Sequence, residues 1–203
     1  FLMTDGFIAN GAEPWRLPEV EDLPKFTKKF RTDPEKYQPY SRDENGARPW
    51  VKPGTPGLEH RVGGIEKAHL TGNISYDPEN HEFMVHARQE KVMGIAKSIP
   101  TPEVKGAQSG KLLILGWGST YGVINEAIAQ LKEQGVTANH LPIKWIVPLN
   151  GEVVTDIVTN AKRSIIVENN YSGQFYRYLR SETGLSVDGH IRKYDGEPFM
   201  PHH

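Results

Sequence analysis

The stretch "LLILGWGSTYGVINEAIAQLKEQG", residues 112–135, decides the fold class. Its apolar opening breaks at glycines, which is typical of a buried strand that ends in a turn. The segment after the turn carries one apolar helical stripe, made of Val123, Ile124, Ala127, Ile128 and Leu131. Gly135 then stands where a glycine commonly ends a helix. The stretch predicts a strand, a glycine turn and a helix, in that order.

The same alternation continues to the end of the chain. Three further strands are predicted from "VTANHLPIKWI" (136–146), "RSIIVE" (163–168) and "VDGHIRKY" (187–194). The helix before the third strand has its stripe at Val153, Val154, Ile157, Val158 and Ala161, and "NNYSGQFYRYLRSETG" (169–184) predicts another helix. Strands that alternate with helices over short connections indicate an α/β fold with an open, mainly parallel sheet.

The first half of the chain has a different composition. Most of the 15 prolines precede residue 103, and residues 15–72 are dense in proline, glycine and charge. Proline excludes helix interiors there, while several tryptophans and tyrosines offer anchors, so we expect an extended arm that packs against a surface. One helix is predicted over residues 80–99, with Asn80 as N-cap and Pro100 as its end, and residues 100–110 are expected to be a linker.

Composition excludes several classes of protein. The 203 residues carry a net charge of −1, which argues against a dedicated nucleic-acid binder. The sequence shows neither a signal peptide nor an apolar run long enough for a membrane span, and it has no cysteine. A cysteine-free chain cannot form disulfides or ligate iron–sulfur clusters by thiolates, and it is consistent with the cytoplasm. The start "FLMTDGF" lacks an initiator Met and suggests a strand that runs into a turn, as in a fragment.

The glycine turn raises the question of a bound phosphate. Gly116, Gly118 and Gly122 are spaced G-x-G-x-x-x-G, one residue longer than the dinucleotide fingerprint. The second strand leads to His140 and Pro142 rather than to an acidic residue. We therefore expect a packing or interface turn rather than a nucleotide site, with Ser119 or Thr120 available to cap the helix.

A second group of polar residues follows the strand at residues 163–168. Glu168, Asn169 and Asn170 stand at its carboxyl end, the edge of a parallel sheet where functional sites gather. The alternative is that Asn170 and Ser172 only cap the next helix. The sequence alone leaves both interpretations open.

Several separate motifs carry a family resemblance. "DGFIANGAEPW", "NGARPWVKPGTPGLEHRVGG", "GWGSTYG" and "ENNYSGQ" closely resemble the alpha subunit of the 2-oxoacid:ferredoxin oxidoreductases, and the second motif is most similar to the 2-oxoglutarate branch. The resemblance covers essentially the whole chain. It implies the tail of a pyrimidine-binding domain at 1–16, a connector arm and helix at 17–107, and a transketolase C-terminal-like domain at 108–203.

The resemblance also implies an activity. Family members use thiamine diphosphate with Mg²⁺ and a [4Fe-4S] cluster to convert a 2-oxoacid, coenzyme A and oxidised ferredoxin to an acyl-CoA, CO₂ and reduced ferredoxin. These cofactors are held mainly by a beta subunit, so no catalytic residue is expected here. This chain is expected to bind no cofactor alone and to contribute a substrate loop and a subunit interface.

A 2-oxoglutarate site must neutralise two carboxylates, which arginine does best through bidentate hydrogen bonds. The arm offers Arg42, Arg48 and Arg61. Arg48 matches the family's Arg-Pro position, so it is the first candidate for a substrate carboxylate, and Arg61 is the second. Thr55 is a candidate hydroxyl donor, and His60 a candidate proton donor near the reacting carbon. The alternative is that these residues only stabilise the connector.

The remaining candidates concern interfaces and metals. Asn10 and Glu13 are expected to lie toward a subunit interface, as are Asn169 and Asn170. His81 and His86 are five residues apart, which does not put both on one helical face, so no metal site is predicted. Three alternatives stay open: a pyruvate or other 2-oxoacid enzyme, a non-catalytic α/β scaffold, and a free-standing nucleotide-binding domain.

Overall fold

The computed structural model describes residues 1–4, 6–12, 14, 16–106 and 111–203, and only the backbone at residues 7 and 8. It divides into two compact units. Phe1–Ala12 together with Ile99–His203 form the sheet unit, and Glu13–Ser98 form the arm unit.

The sheet unit is built on five strands. They are β1 (Lys105–Gly106), β2 (Leu112–Trp117), β3 (Ala138–Ile143), β4 (Ser164–Glu168) and β5 (Gly189–Arg192). The spatial order is β1-β3-β2-β4-β5, in which β1 pairs antiparallel with β3 and every other pair is parallel. The predicted open, mainly parallel sheet is therefore confirmed.

Helices cover both faces of this sheet. A short α1 spans Gly6–Asn10, and α3, α4 and α5 span Tyr121–Glu133, Gly151–Asn160 and Gln174–Thr183. On one face, Ile124 of α3 packs against Ile114, Ala138 and Val167. On the other face, α4 and α5 bury a larger cluster, made of Leu113, Leu115, Leu141, Ile143, Val154, Val158, Ile166, Phe175 and Leu179. Apolar alternation along each strand thus fills two cores.

The glycine turn between β2 and α3 has a steric role. A Cβ built on Gly116 would overlap with Ile124 Cδ1 and would stand 2.9 Å from Thr120 Oγ1, so any larger residue there has to displace the Ile124 side chain. Thr120 does not cap α3 through its side chain. Its hydroxyl instead donates to Trp117 O at 2.9 Å and accepts from Trp117 N at 3.1 Å, which closes the turn. The expectation of a packing turn is met.

We expect Gly116→Ala to destabilise the protein by about 2 kcal/mol, because overpacking forces Ile124 off its position. Gly122→Ala is the matched control, since a Cβ there meets nothing within 4 Å. That substitution lies in the first turn of α3, and it should stabilise the protein by about 0.5–1 kcal/mol. Urea unfolding of the full chain measures both. Equal effects of the two substitutions would contradict the steric explanation.

Several sequence predictions about local elements were wrong. The predicted linker contains β1, which is too short to show a period. The helix predicted from 169 starts only at Gln174, because residues 169–173 form a loop. Residues 1–4 form no strand, and α1 begins at Gly6.

The arm unit is held by isolated bridges and one long helix. Phe30 pairs with Trp50, and Tyr40 pairs with Leu70. The helix α2 spans Pro78–Gly94 and is capped by Asp77, whose carboxylate accepts from Glu79 N at 3.1 Å. The predicted cap Asn80 was wrong, because its amide instead joins Lys67 O and His69 N. α2 ends at Gly94 rather than at Pro100, and its buried residue is Met84.

Candidate functional site

Two arginines meet on one tyrosine ring in the arm unit. The guanidinium carbon of Arg48 lies 4.1 Å from the ring centroid of Tyr40, and that of Arg42 lies 5.9 Å from it. We call Arg42 and Arg48 the arginine pair. A guanidinium over an aromatic face is attracted by the ring quadrupole, so Tyr40 holds the pair together despite the repulsion between like charges.

Arg42 is the more fixed member of the pair. Its Nη1 donates to Tyr40 O at 3.2 Å, and its Nη2 donates to the Met84 sulfur at 3.3 Å. Burial lowers the pKa of Arg42, and the nearby charge of Arg48 lowers it further. Neither arginine forms an ion pair within the described residues. An anionic ligand would therefore relieve the repulsion, and a carboxylate suits guanidinium best.

A cavity of about 480 Å³ opens beside the pair. Its other cationic lining residues are Lys67, Arg88 and Lys91. Glu66 is the acidic residue in this lining. His81 Nδ1 lies 2.6 Å from its Oε2, and Arg88 Nη1 lies 3.4 Å from its Oε1. The hydrogen bond from His81, then that from Arg88, lowers the pKa of Glu66 against its burial. The cavity thus keeps an excess of positive charge.

One wall of this cavity is a glycine turn. Gly63 and Gly64 both have positive φ, at 71° and 83°. The ammonium group of buried Lys67 donates to Gly63 O and, at 3.2 Å, to Ile65 O. Lys67 therefore fixes the "VGG" turn from inside, which shapes the wall without side chains that would fill it.

The predicted substrate residues are only partly brought together. Arg48 lies in the arginine pair. Thr55 and His60 lie in the loop itself: Thr55 Oγ1 donates to Lys52 O at 2.7 Å, and His60 Nδ1 stands 3.0 Å from Tyr37 Oη. Arg61 is exposed. None of these last three lines the cavity beside the pair. Their substrate roles stay predictions.

Tyr40 was not among the predicted site residues, and Arg42 was named among the arginines of the arm but not chosen as a substrate contact. The sequence feature that could have linked the two arginines is "YSRDENGAR", in which Asp43 and Gly46 are residues typical of a tight turn. Asp43 Oδ1 accepts from Asn45 N at 2.9 Å and from Ala47 N at 2.8 Å, so the chain doubles back. That turn brings Arg48 to Arg42.

The carboxyl edge of the sheet holds a second polar cluster. Glu168 is fully buried, and its carboxylate accepts from Phe175 N at 2.8 Å, Tyr176 N at 3.0 Å and Asn170 Nδ2 at 2.9 Å. Its Oε1 also lies 3.0 Å from His190 Nε2. The two backbone donors belong to the first turn of α5, so Glu168 caps that helix from a neighbouring strand.

Three of the four predicted interface residues, Asn10, Asn169 and Asn170, are described, and they lie at or near the surface. Asn170 also caps α5, because its Oδ1 accepts from Gln174 N at 3.0 Å. Asn169 is exposed. Asn10 is exposed on α1, where its amide donates to Gly6 O at 2.7 Å. Glu13 lies outside the described residues. The interface role of all four stays a prediction.

His140 on β3 is a buried titratable group, and one of its two ring nitrogens has a hydrogen-bond partner. Its Nδ1 lies 2.8 Å from Asn125 Oδ1, and its Nε2 has no partner among the described residues. Burial, then the charge of Lys105, lowers the pKa of His140 from 6.5 to about 4. A histidine pKa that is lowered on folding stabilises the fold above the unfolded value, and this stability is lost as pH falls from 6.5 toward 4.

We expect acidification from about pH 7.5 to about pH 5 to remove about 2 kcal/mol of stability through His140. Glutamine cannot titrate, so in His140→Gln the free energy of unfolding should fall by about 2 kcal/mol less than in wild type over the same pH range. Urea unfolding of the full chain at both pH values measures the difference. Parallel slopes in the two proteins would show that His140 does not carry it.

The resemblance implies an iron–sulfur cluster, which needs thiolate ligands. The sequence has no cysteine for a cluster, and within residues 16–106 and 111–203 no three histidine or acidic side chains gather as metal ligands. No step can be assigned here to thiamine diphosphate or to a cluster. Across the described parts of the chain, no helix is long and apolar enough to span a bilayer.

Comparison with known proteins decides the family. The family model "Transketolase, C-terminal domain" matches residues 103–175. The 2-oxoglutarate oxidoreductase subunit KorA of Mycobacterium tuberculosis is 39% identical over 201 residues, or 98% of this chain. The chain belongs to the alpha-subunit family of the 2-oxoacid:ferredoxin oxidoreductases. This confirms the resemblance and the transketolase C-terminal-like fold.

Other members of the oxidoreductase family agree. A 2-oxoglutarate synthase subunit KorA from Methanothermobacter thermautotrophicus is 23% identical over 98% of the chain and 53% of its own length. A solved 2-oxoglutarate:ferredoxin oxidoreductase from Magnetococcus marinus, with 2-oxoglutarate, coenzyme A and succinyl-CoA bound, has a TM-score of 0.80 and 29% identity. The match covers 91% of this chain and 32% of the Magnetococcus chain. The chain spans 30% of the Mycobacterium relative.

Proposed function

We propose that this chain is part of a 2-oxoglutarate:ferredoxin oxidoreductase and that its arginine pair binds a carboxylate of the substrate. The reaction converts 2-oxoglutarate, coenzyme A and oxidised ferredoxin to succinyl-CoA, CO₂ and reduced ferredoxin, and it is reversible. The observation that carries the proposal is the arginine pair itself, two guanidinium groups on one ring with no carboxylate partner in the described residues. The similar proteins named for 2-oxoglutarate support this choice of substrate.

The contribution of this chain is binding and not electron transfer. A guanidinium pair neutralises and orients a dicarboxylate, which brings the 2-oxo carbon to a fixed position. A beta subunit supplies thiamine diphosphate with Mg²⁺ and the [4Fe-4S] cluster, and ferredoxin accepts the electrons. Arg61, Thr55 and His60 are proposed as further substrate contacts, and Asn10, Glu13, Asn169 and Asn170 as interface residues. We place the complex in the cytoplasm.

The proposal is tested on the complex of alpha and beta subunits, purified without oxygen. Viologen reduction is measured with 2-oxoglutarate and with pyruvate, each with coenzyme A. Strong reduction with 2-oxoglutarate and little with pyruvate supports the proposal. Reduction with pyruvate alone would keep the enzyme class and reject the substrate.

Two alternative functions remain distinct outcomes of the same assay. An enzyme for pyruvate or another 2-oxoacid would reduce viologen only with that acid. A non-catalytic scaffold would still form the complex. That complex would turn over no 2-oxoacid, even in a preparation that carries thiamine diphosphate and clusters. A free-standing nucleotide-binding domain is disfavoured by the packed turn at Gly116.

A further inference from the structure

Lys67 is a buried cation in the wall of the cavity beside the arginine pair. It is 5% exposed, whereas Arg88 and Lys91, which line the same cavity, are exposed. Lysine is seldom buried without an acidic partner, because its ammonium group loses its hydration there. Among the described residues, no ion pair involves Lys67. The burial of this charge therefore needs an explanation.

The acidic residue next to Lys67 in the sequence does not supply that partner. The two carboxylate oxygens of Glu66 face His81 at 2.6 Å and Arg88 at 3.4 Å. The ammonium group of Lys67 donates instead to two backbone carbonyls, Gly63 O and Ile65 O. An ammonium group has three protons to donate, and two of them are used within the described residues. The charge of Lys67 is thus compensated only by carbonyl dipoles.

The backbone of Lys67 is fixed on two sides. Lys67 forms an antiparallel bridge with Ile74, and its carbonyl oxygen accepts from Asn80 Nδ2 of α2 at 2.9 Å. Ser75 N also donates to Glu66 O at 3.0 Å, which continues the pairing on the N-terminal side. A residue that is already fixed loses little entropy when it contacts a ligand. Lys67 therefore has the placement of a binding residue and not that of a mobile surface lysine.

The glycine turn leaves the space next to the ammonium group open. A Cβ built on Gly64 would stand 3.4 Å from Lys67 Nζ, and one built on Gly63 would meet nothing within 4 Å. Both glycines line the cavity together with Lys67 and the arginine pair. Because neither glycine carries a side chain, a small anion in this cavity can approach the ammonium group over the backbone of the turn.

We infer that Lys67 binds one carboxylate of a dicarboxylic 2-oxoacid while the arginine pair binds the other, an inference that rests on the function proposed above. Lys67, Arg42 and Arg48 line one cavity of about 480 Å³, a volume within the usual range of small-molecule sites. A second carboxylate supplies the counter-charge that the buried ammonium group lacks. Lys67 thus selects a dicarboxylic 2-oxoacid over a monocarboxylic one such as pyruvate.

The test is titration of the anaerobic complex of alpha and beta subunits with glutarate and pentanoate, which share a five-carbon chain and differ in the second carboxylate. Wild type should bind glutarate at least about tenfold more tightly. Methionine is unbranched and uncharged, so Lys67→Met should raise the Kd of glutarate about tenfold and leave that of pentanoate unchanged. The KM for 2-oxoglutarate should rise while kcat holds. Lys97→Met, an exposed change outside the cavity lining, is the matched control and should change neither Kd.

Three results would overturn the inference. They are equal binding of glutarate and pentanoate by wild type, an unchanged Kd for glutarate in Lys67→Met, and an equal loss for both acids, which would mean that Lys67 only supports the turn. If Lys67→Met does not assemble with the beta subunit, Lys67→Gln, which keeps a donor for the turn, is used in the same titration.

The titration also separates this inference from the proposed function, because it needs no turnover. A wild-type complex that turns over no 2-oxoglutarate would reject the proposed function. If that complex still prefers glutarate, and Lys67→Met loses the preference, Lys67 remains a carboxylate-binding residue. Normal turnover of 2-oxoglutarate by wild type and by Lys67→Met, with the same KM, would reject the role of Lys67 and leave the proposed function intact.

Discussion

Arg48→Ala is expected to lower kcat/KM for 2-oxoglutarate about 100-fold, the largest effect on activity that the structure predicts. A hydrogen bond to a charged group contributes about 1.5–3 kcal/mol, and its loss leaves the desolvated carboxylate with Arg42 as its one remaining partner in the pair. The substitution also removes the guanidinium that stacks on Tyr40 at 4.1 Å, so the position of Arg42 is loosened at the same time. Viologen reduction by the anaerobic complex measures the effect.

Comparison variants separate substrate binding from folding. Arg48→Lys keeps the charge but loses the planar fork, so it should recover only part of the activity. Arg177→Ala removes an exposed arginine from α5 of the sheet unit and should leave turnover unchanged. Normal 2-oxoglutarate turnover in Arg48→Ala would show that Arg48 does not bind a substrate carboxylate, and it would favour a purely structural role for the arm. Arg61→Ala tests the second candidate in the same assay.

The fold was predictable because its strands and helices are periodic. The α3 stripe recurs at helical spacing and packs as predicted, with Ile124 buried. β1 escaped prediction because two residues show no period, and its pairing with Asn139 and His140 depends on a neighbour distant in sequence. In α2, Asp77 outcompeted Asn80 as cap because the folded loop uses the Asn80 amide elsewhere.

The candidate site was predictable only in part. Arg48 could be selected by its place in a motif, since a sequence match names single positions. Its partners Tyr40 and Arg42 come from a turn and from a bridge between Tyr40 and Leu70, which no local pattern encodes. The same holds for Glu168: its position at a strand end was evident, but its donors come from α5 and from His190 on β5.

Glu168→Gln should destabilise the protein by about 3 kcal/mol, the largest effect on stability that we expect. The carboxylate accepts on both oxygens, from Phe175 N and Asn170 on one and from Tyr176 N on the other. A glutamine amide group would point a donor at donors on whichever side it took. Urea unfolding of the full chain measures the loss, and Glu182→Gln, an exposed change on α5, is the control.

The pH dependence gives this prediction a second readout. Burial raises the pKa of Glu168, but the hydrogen bonds from Asn170, Tyr176 N and Phe175 N outweigh it, and its net pKa lies below the ordinary 4.5. A carboxyl pKa lowered on folding stabilises the fold above 4.5 and loses that stability as pH falls further. The difference in free energy of unfolding between wild type and Glu168→Gln should therefore become smaller as the pH falls below 4.5. If this difference stays constant below about pH 4, packing rather than the charge of Glu168 accounts for the loss of stability.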